Sequence, residues 1–482
     1  MAALSVAVVS MGVATRLPSG AAIAILVLSI CVWTVAVFNH VLLVPHVAIV
    51  GVLAVTIFQD IAIGLFGGRD ATRVGVLLVV VFTTALPAVL ACWYAVINRS
   101  LLSSRRLAVL HVVTAAYVID VLINAASSGQ SMSAMLPAMR NSFAFLIMFY
   151  FGLLVPGLTR LRFRKSLGGF SVLALIVIAF GYLERFILGD AFWIDVLNLD
   201  LIATYKNLVP TVAVPEPLPA DFYSPIEGRY YRRMASLFGT PISMGYFVAF
   251  ALLYLVPFSH PLRRSSWSSL RIVAVLLLSI TLALTLVKGA YGIAALGAMA
   301  MCAAALGSRR GWSFGRILVG WTLAAVPAVV VGILLFPRST ALLHLYGLVL
   351  TFQGLSGTDL LLGQGVGTGG TISARLGANV VVSESTGAES GIGTLLFQTG
   401  LIGVCLFLMF AVLLLKSLYT LYTDRAAETD LRLGALGVLG GLFGLLGAVF
   451  LQENALAPIP IAPYYIFAGA LLNARYRSGN GA

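Results

Sequence analysis

The feature that most constrains this chain is a series of apolar stretches, each about 20 residues long, joined by short polar or basic links. A helix of that length rises about 30 Å, the thickness of the hydrocarbon core of a bilayer. Such runs read at 20–38, 42–66, 74–97, 107–126, 138–157, 168–188, 237–257, 272–287, 289–306, 317–336, 391–415, 433–451 and 457–474, with 1–15 left open. The runs are continuous and lack the ten-residue alternation of a membrane barrel. The expected fold is therefore an all-α polytopic membrane protein with about 12–14 transmembrane helices and two large extracytoplasmic loops.

Composition supports this reading. Of 482 residues, 60% are hydrophobic and 10% charged, and the mean hydropathy is +1.03. Soluble domains carry roughly 25% charged residues, so this chain lacks the means to cover a water-facing surface. Cys31, Cys92, Cys302 and Cys405 all fall in apolar runs and read as small core residues, with no disulfide framework or thiolate metal site implied. No basic region precedes the first apolar stretch, so no cleavable signal peptide is expected.

Basic residues collect in alternate links. One side holds Arg99, Arg105, Arg106, Arg160, Arg162, Arg164, Lys165, Arg263, Arg264, Arg271, Arg309, Arg310, Arg316, Lys416, Arg425, Arg432, Arg475 and Arg477, against Asp424, Glu428 and Asp430. Positive residues mark the cytoplasmic side, so the net charge of +13 reads as a topological signature. A nucleic-acid partner is not expected, because no soluble module offers a basic face.

The expected organisation is N-terminal transmembrane helices over 1–188, a first large extracytoplasmic loop at 189–236, central transmembrane helices at 237–336, a second large extracytoplasmic loop at 337–390, and C-terminal transmembrane helices with a short cytoplasmic tail at 391–482. The sequence shows no internal repeat of the kind that marks many transporters.

Against the orientation rule, Arg229, Arg232 and Arg233 stand just before the 237–257 run on the outer side, Lys288 separates two abutting runs, and Arg338 opens the second loop. Several cations at a membrane boundary suit a phosphate or diphosphate. They could equally pair with Glu227, Asp221 or lipid headgroups. Lys288, followed by Gly289 and Gly292, could also snorkel to the headgroups. The Gly-rich 363–370 segment has neither P-loop spacing nor a dinucleotide fingerprint; it reads as a place where the loop backbone turns sharply. No His/Cys cluster has metal-ligand spacing, so no metal or other cofactor is expected.

Four segments together resemble the O-antigen ligase and Wzy-type polysaccharide polymerase superfamily. Arg233-Met-Ala-Ser236-Leu-Phe238-Gly239-Thr240-Pro241 is similar to its Arg-x-x-Gly/Ser-x-Phe-x-Asn-Pro signature, with Thr240 in place of Asn. Leu284-Thr285-Leu-Val-Lys288-Gly289-Ala290 is similar to its Leu-Thr-x-Ser-Arg-Gly-Ala segment, with Lys288 in place of Arg. Leu362-Gly363-Gln-Gly365-Val-Gly367 resembles its Gly-x-Gly stretch. Glu389-Ser390, followed by Gln398-Thr399-Gly400-Leu401-Ile402-Gly403, resembles the segment where many ligases carry a His proposed as base.

The resemblance implies a membrane glycosyltransferase of the polymerase/ligase type, independent of metal. Its donor would be a polyprenyl-diphosphate-linked glycan and its acceptor a second glycan, worked on at the outer face of the bacterial cytoplasmic membrane. It admits chain-length regulators or flippases as partners. Arg233 and Lys288 would stabilise the leaving diphosphate, and Glu389 would be the general base. Arg338, Arg232, Arg229, Glu384 and His344 would line the substrate site, and the last two are rival bases. At its residue Glu389 could also be an ordinary solvated acid favoured by a helix dipole. Polymerisation of repeat units is the expected activity. Ligation to lipid A core or protein is the alternative within the family, and a flippase or polysaccharide transporter the alternative outside it. A glycosyltransferase using Asp60 or Asp70 is a further reading.

Overall fold

The computed structural model describes residues 31–32, 34–35, 41–66, 73–102, 104–105, 107–130, 132–197, 199, 216–226, 228–259, 268–335, 348–349, 351–369 and 390–478. The protein is an all-α polytopic membrane protein. Among the described residues, eight helices are long and apolar enough to cross a membrane, and Thr83–Ile97, Ile272–Thr285 and Phe314–Pro327 are shorter apolar helices. The runs at 1–15 and most of 20–38 lie outside the described residues.

In chain order the helices are α1 (Pro45–Phe66), α2 (Arg73–Ile97), α3 (Ala108–Ser127), α4 (Met132–Leu154), α5 (Arg160–Leu183), α6 (Pro241–Leu255), α7 (Ser268–Thr285), α8 (Lys288–Arg309), α9 (Phe314–Leu335), the short α10 (Thr358–Leu362), α11 (Gly391–Thr423), α12 (Thr429–Leu451) and α13 (Pro458–Ser478). Each expected run from residue 42 onward overlaps a helix, although α4 and α5 begin six and eight residues earlier than expected and α11 ends eight residues later. The strongest departures follow α5, which does not stop near residue 188. Wide π turns at Glu184–Leu188 and Phe192–Val196 carry the helical path to Val196. The first loop also holds a small antiparallel hairpin, β1 (Tyr223–Ile226) with β2 (Arg229–Arg232), that apolar periodicity did not foretell.

Small residues let the central helices approach closely, as they do where lipid removes the hydrophobic drive between helices. A side chain at Gly152 of α4 would run into the Ile466 carbonyl of α13, and one at Gly469 into the Phe149 carbonyl. Aromatic rings from α4, α5, α11 and α13 also pack together. Phe145 meets Phe407 edge-on at 5.2 Å between centroids, and Phe170 meets Phe467 at 5.1 Å. Such arrangements satisfy the ring quadrupoles while filling volume.

The two ends of the bundle differ. At the basic end, Arg160 pairs with Glu428 at 2.7 Å, Arg475 with Asp424 at 3.2 Å, and Arg164 with Asp430. The three acids expected on that side are thus all used to fasten basic helix ends. The cysteines correct the expectation of core residues. Cys31 is buried, but Cys92, Cys302 and Cys405 are exposed on the flanks of the bundle. A thiol facing lipid meets an environment as apolar as a core, so composition could not separate the two.

Candidate functional site

The opposite end is where the chain is most irregular. Between β2 and α6 the backbone threads inward. Arg233 N–H donates to the Phe222 carbonyl at 2.7 Å and Met234 N–H to the Leu284 carbonyl at 3.3 Å. The segment is therefore stitched to the hairpin on one side and to the last turn of α7 on the other. Ser236 then takes a left-handed backbone (φ 56°), held by its Oγ donating to the Val177 carbonyl at 2.5 Å. Asp60 of α1 accepts from Gly239 N–H at 2.6 Å. Asp60 is thus built into the turn before α6, while Asp70 lies outside the described residues. Thr240 caps α6 by accepting from Ser243 N–H, with Pro241 at the first helical position.

The turn from α7 into α8 has the matching irregularity. Leu286 is left-handed (φ 51°), and among the described residues it and Ser236 are the non-glycine residues with positive φ. A left-handed non-glycine residue costs about 1–3 kcal/mol, and such strain clusters at functional sites. These two lie on segments that touch each other through the Met234–Leu284 hydrogen bond.

Neighbouring arginines on this rim have opposite fates. Arg232 is neutralised: its guanidinium pairs with Glu184, which is fully buried, and with Asp190 at 2.9 Å. The same Glu184 carboxylate accepts from Trp193 Nε1 at 2.7 Å and from Ser236 N–H at 3.4 Å. This is a buried ion pair with its remaining lone pairs satisfied, the condition under which such a pair is tolerated. It fixes the hairpin to α5 and leaves Arg232 little capacity for a ligand.

Arg233 is left under-satisfied. Its Nη1 reaches the Asp221 carbonyl only at 3.5 Å, the limit of a hydrogen bond, and its Nε is buried with no hydrogen-bond partner among the described residues. Burial pushes its pKa down, while Asp221 and Tyr291 push it back. Arginine stays protonated in proteins, so the group is a half-buried cation short of acceptors. Tyr291 lies one turn beyond Lys288 on α8, with its hydroxyl donating to the Ala283 carbonyl at 2.8 Å.

Lys288 is the first residue of α8 and is exposed. A cation at the positive end of a helix dipole is disfavoured unless an anion sits there as well. Behind it, a side chain at Gly289 would collide with the Gln452 amide, whose oxygen accepts from the Tyr246 hydroxyl. Gln452 closes α12, and there Ser390 begins α11: its Oγ donates to the Phe450 carbonyl at 2.8 Å and accepts from Gly393 N–H at 3.1 Å. Arg229 is exposed on β2.

Of the expected site residues, Arg233 and Lys288 thus lie on segments joined at one end of the bundle, and Arg232 is committed to Glu184 and Asp190. Glu389, Arg338, Glu384, His344 and Glu227 lie outside the described residues.

The Gly-rich segment is a plug. Gly363, Gly365 and Gly367 all have positive φ (78°, 102° and 89°), which glycine alone adopts without penalty. The turns aim Gln364 N–H at the Phe397 carbonyl (2.8 Å), Gly365 N–H at the Gln398 carbonyl (3.2 Å) and Val366 N–H at the Asn124 carbonyl (3.2 Å). The first two acceptors are free because α11 is broken at Gly400 (φ 62°). The loop backbone replaces the lost helix bonds, the requirement for irregular backbone within a bundle.

Sequence reasoning missed several polar groups within the helices. Asp120 of α3 has a buried Oδ2 without a hydrogen-bond partner among the described residues. A cleft of about 20 Å³ is lined by Ala138, Asn141, Ser142, Thr394, Leu395, Gln398, Glu453 and Leu456. Single polar residues inside apolar runs were the available signal, since such residues are costly in a membrane. Asp120 lies seven residues from the end of α3, roughly 10 Å of helix.

No family model matches the chain, and no curated protein matches it.

Proposed function

We propose that this protein polymerises polyprenyl-diphosphate-linked oligosaccharide repeat units by inverting glycosyl transfer at the outer face of a bacterial cytoplasmic membrane. The observation that carries the reading is the contrast between adjacent arginines: Arg232 is neutralised by Glu184 and Asp190, while the half-buried Arg233 is short of acceptors beside the turn that bears Lys288. A half-buried, under-satisfied guanidinium with a lysine on an adjoining segment is suited to a diphosphate.

In the proposed step the acceptor hydroxyl oxygen forms a bond to the anomeric carbon from the face opposite the leaving group. The bond from that carbon to the phosphate oxygen breaks, and the diphosphate departs with its electron pair. Arg233 and Lys288, with Arg338 from the second loop, offset the charge that develops on it. Glu389 takes the hydroxyl proton. No step requires a metal. Ligation of a finished chain to lipid A core or protein uses the same chemistry and differs in the acceptor alone.

The test is polymer formation in membranes. Arg233→Ala should abolish elongation with the protein still folded and inserted, because the diphosphate loses a charge-assisted contact worth about 1.5–3 kcal/mol in ordinary hydrogen bonds and more in a dry site. Arg233→Lys should retain part of the activity. Full elongation by the Ala variant removes Arg233 from the site and, with it, this reading.

A further inference from the structure

The cleft between α4, α11 and the turn that follows α12 has a chemistry of its own. Asn141 and Ser142 come from α4, Thr394 and Gln398 from α11, and Glu453 from the 453–456 turn. Asn141 and Thr394 are more than nine-tenths buried, at 9% and 6% exposure. Even so, Asn141 Oδ1 and Thr394 Oγ1 have no hydrogen-bond partner among the described residues. Buried polar atoms normally find partners, and leaving two unmet in one cleft costs stability. Gln398 has its amide already committed through Nε2 to the Gly369 carbonyl at 2.7 Å, which fixes the orientation of that wall.

The volume of about 20 Å³ admits one water-sized group. The lining excludes most occupants. Glu453 disfavours an anion, one carboxylate is too few for a divalent cation, and unmet amide and hydroxyl atoms disfavour an apolar group. A neutral group that both donates and accepts remains, and an alcohol hydroxyl has that character and that size. The cleft also lies close to the cationic rim. Thr394 is one turn into α11, and Gln452, next to Glu453, packs against Gly289 beside Lys288.

We propose that this cleft receives one non-reacting hydroxyl of the acceptor sugar, which donates to Asn141 Oδ1 and accepts from Thr394 Oγ1 in place of a water, so that these two residues decide which acceptor is used. The inference rests on the glycosyl-transfer reading above. It assigns specificity to positions that take no part in binding the diphosphate.

Thr394→Val is the most informative change, since it removes an unpartnered hydroxyl at nearly constant shape and should leave the unfolding temperature unchanged or raise it. Asn141→Leu and Glu453→Gln accompany it. The full chain in lipid vesicles is supplied with polyprenyl-linked donor, and with acceptor repeat units released from the producing cells' own polymer and their monodeoxy forms. Thr394→Val and Asn141→Leu should each raise the acceptor KM about tenfold, the effect of one lost hydrogen bond, with kcat and donor binding near wild type, and Glu453→Gln, which keeps the shape of the wall, should leave KM near wild type. One monodeoxy acceptor should be used equally poorly by wild type and Thr394→Val, which identifies the hydroxyl. Wild-type KM in Thr394→Val and Asn141→Leu with every acceptor would overturn the inference, leaving a cleft that holds a structural water while glycosyl transfer stands. Failure of the wild-type chain to bind polyprenyl diphosphate or to transfer would overturn the glycosyl-transfer reading itself, and the inference with it.

Discussion

Lys288 shows how much one residue's position can say. It opens α8 with its ammonium exposed, where the helix dipole disfavours it by a few tenths of a kcal/mol to about 1 kcal/mol. If its role were snorkelling alone, Lys288→Met would be neutral or slightly stabilising. As a diphosphate ligand it should tolerate Arg and lose polymer formation with Met or Gln, and assays of the three variants in membranes decide. Glu389 calls for a different comparison. As general base, Glu389→Gln should keep donor binding and lose about 10²–10⁴-fold in transfer, with Glu389→His recovering part of it. Glu384→Gln and His344→Ala are the controls. Normal elongation by Glu389→Gln alongside a dead control would move the base to that residue. Of these rim residues, the sequence made Arg233 and Lys288 conspicuous because cations are rare where they stand. It could not tell Arg233 from Arg232, because the difference is made by Glu184, 48 residues away along the chain.

At the scale of elements, the break in α11 and the Gly-rich plug are one device. Gly400 at φ 62° opens the helix, and its α-carbon faces the Leu361 carbonyl at the end of α10, so an added methyl would collide there. Gly400→Ala should therefore destabilise the fold by at least about 1–3 kcal/mol, the cost of a left-handed non-glycine residue, and loosen the 363–369 segment. Gly354→Ala, with open space around it, should be neutral. Thermal unfolding in vesicles, with proteolysis of the loop, compares them; an unchanged Gly400→Ala protein would refute the coupling. The glycines were visible in sequence as a place for sharp turns. That the turns carry backbone donors to Phe397 and Gln398 was not, because the acceptors exist only once α11 is broken.

For the molecule as a whole, the cysteines offer a direct measure of what faces lipid. Cys302 of α8 and Cys405 of α11 are exposed on the bundle surface and Cys31 is buried. Nitroxide labels at Cys302 and Cys405, each in a chain lacking the other cysteines, should be relaxed strongly by oxygen and weakly by a water-soluble nickel complex once in vesicles. Strong relaxation by nickel at either position would contradict the membrane placement of that helix.

The sequence by itself determined the class of fold and most helix positions, because burying a helix in hydrocarbon requires about 20 apolar residues in a row and such runs are legible without any partner. It also determined where the cations crowd, since charge in an apolar chain is conspicuous. Tertiary structure alone decided which cation is neutralised and which is left short of acceptors. It also decided that α5 runs on through π turns to Val196, that a hairpin anchors the rim, and that Asn141, Thr394 and Glu453 share one cleft. Each of these depends on groups far apart in the chain meeting at a few ångströms, and hydrogen bonds and ion pairs act only at that range.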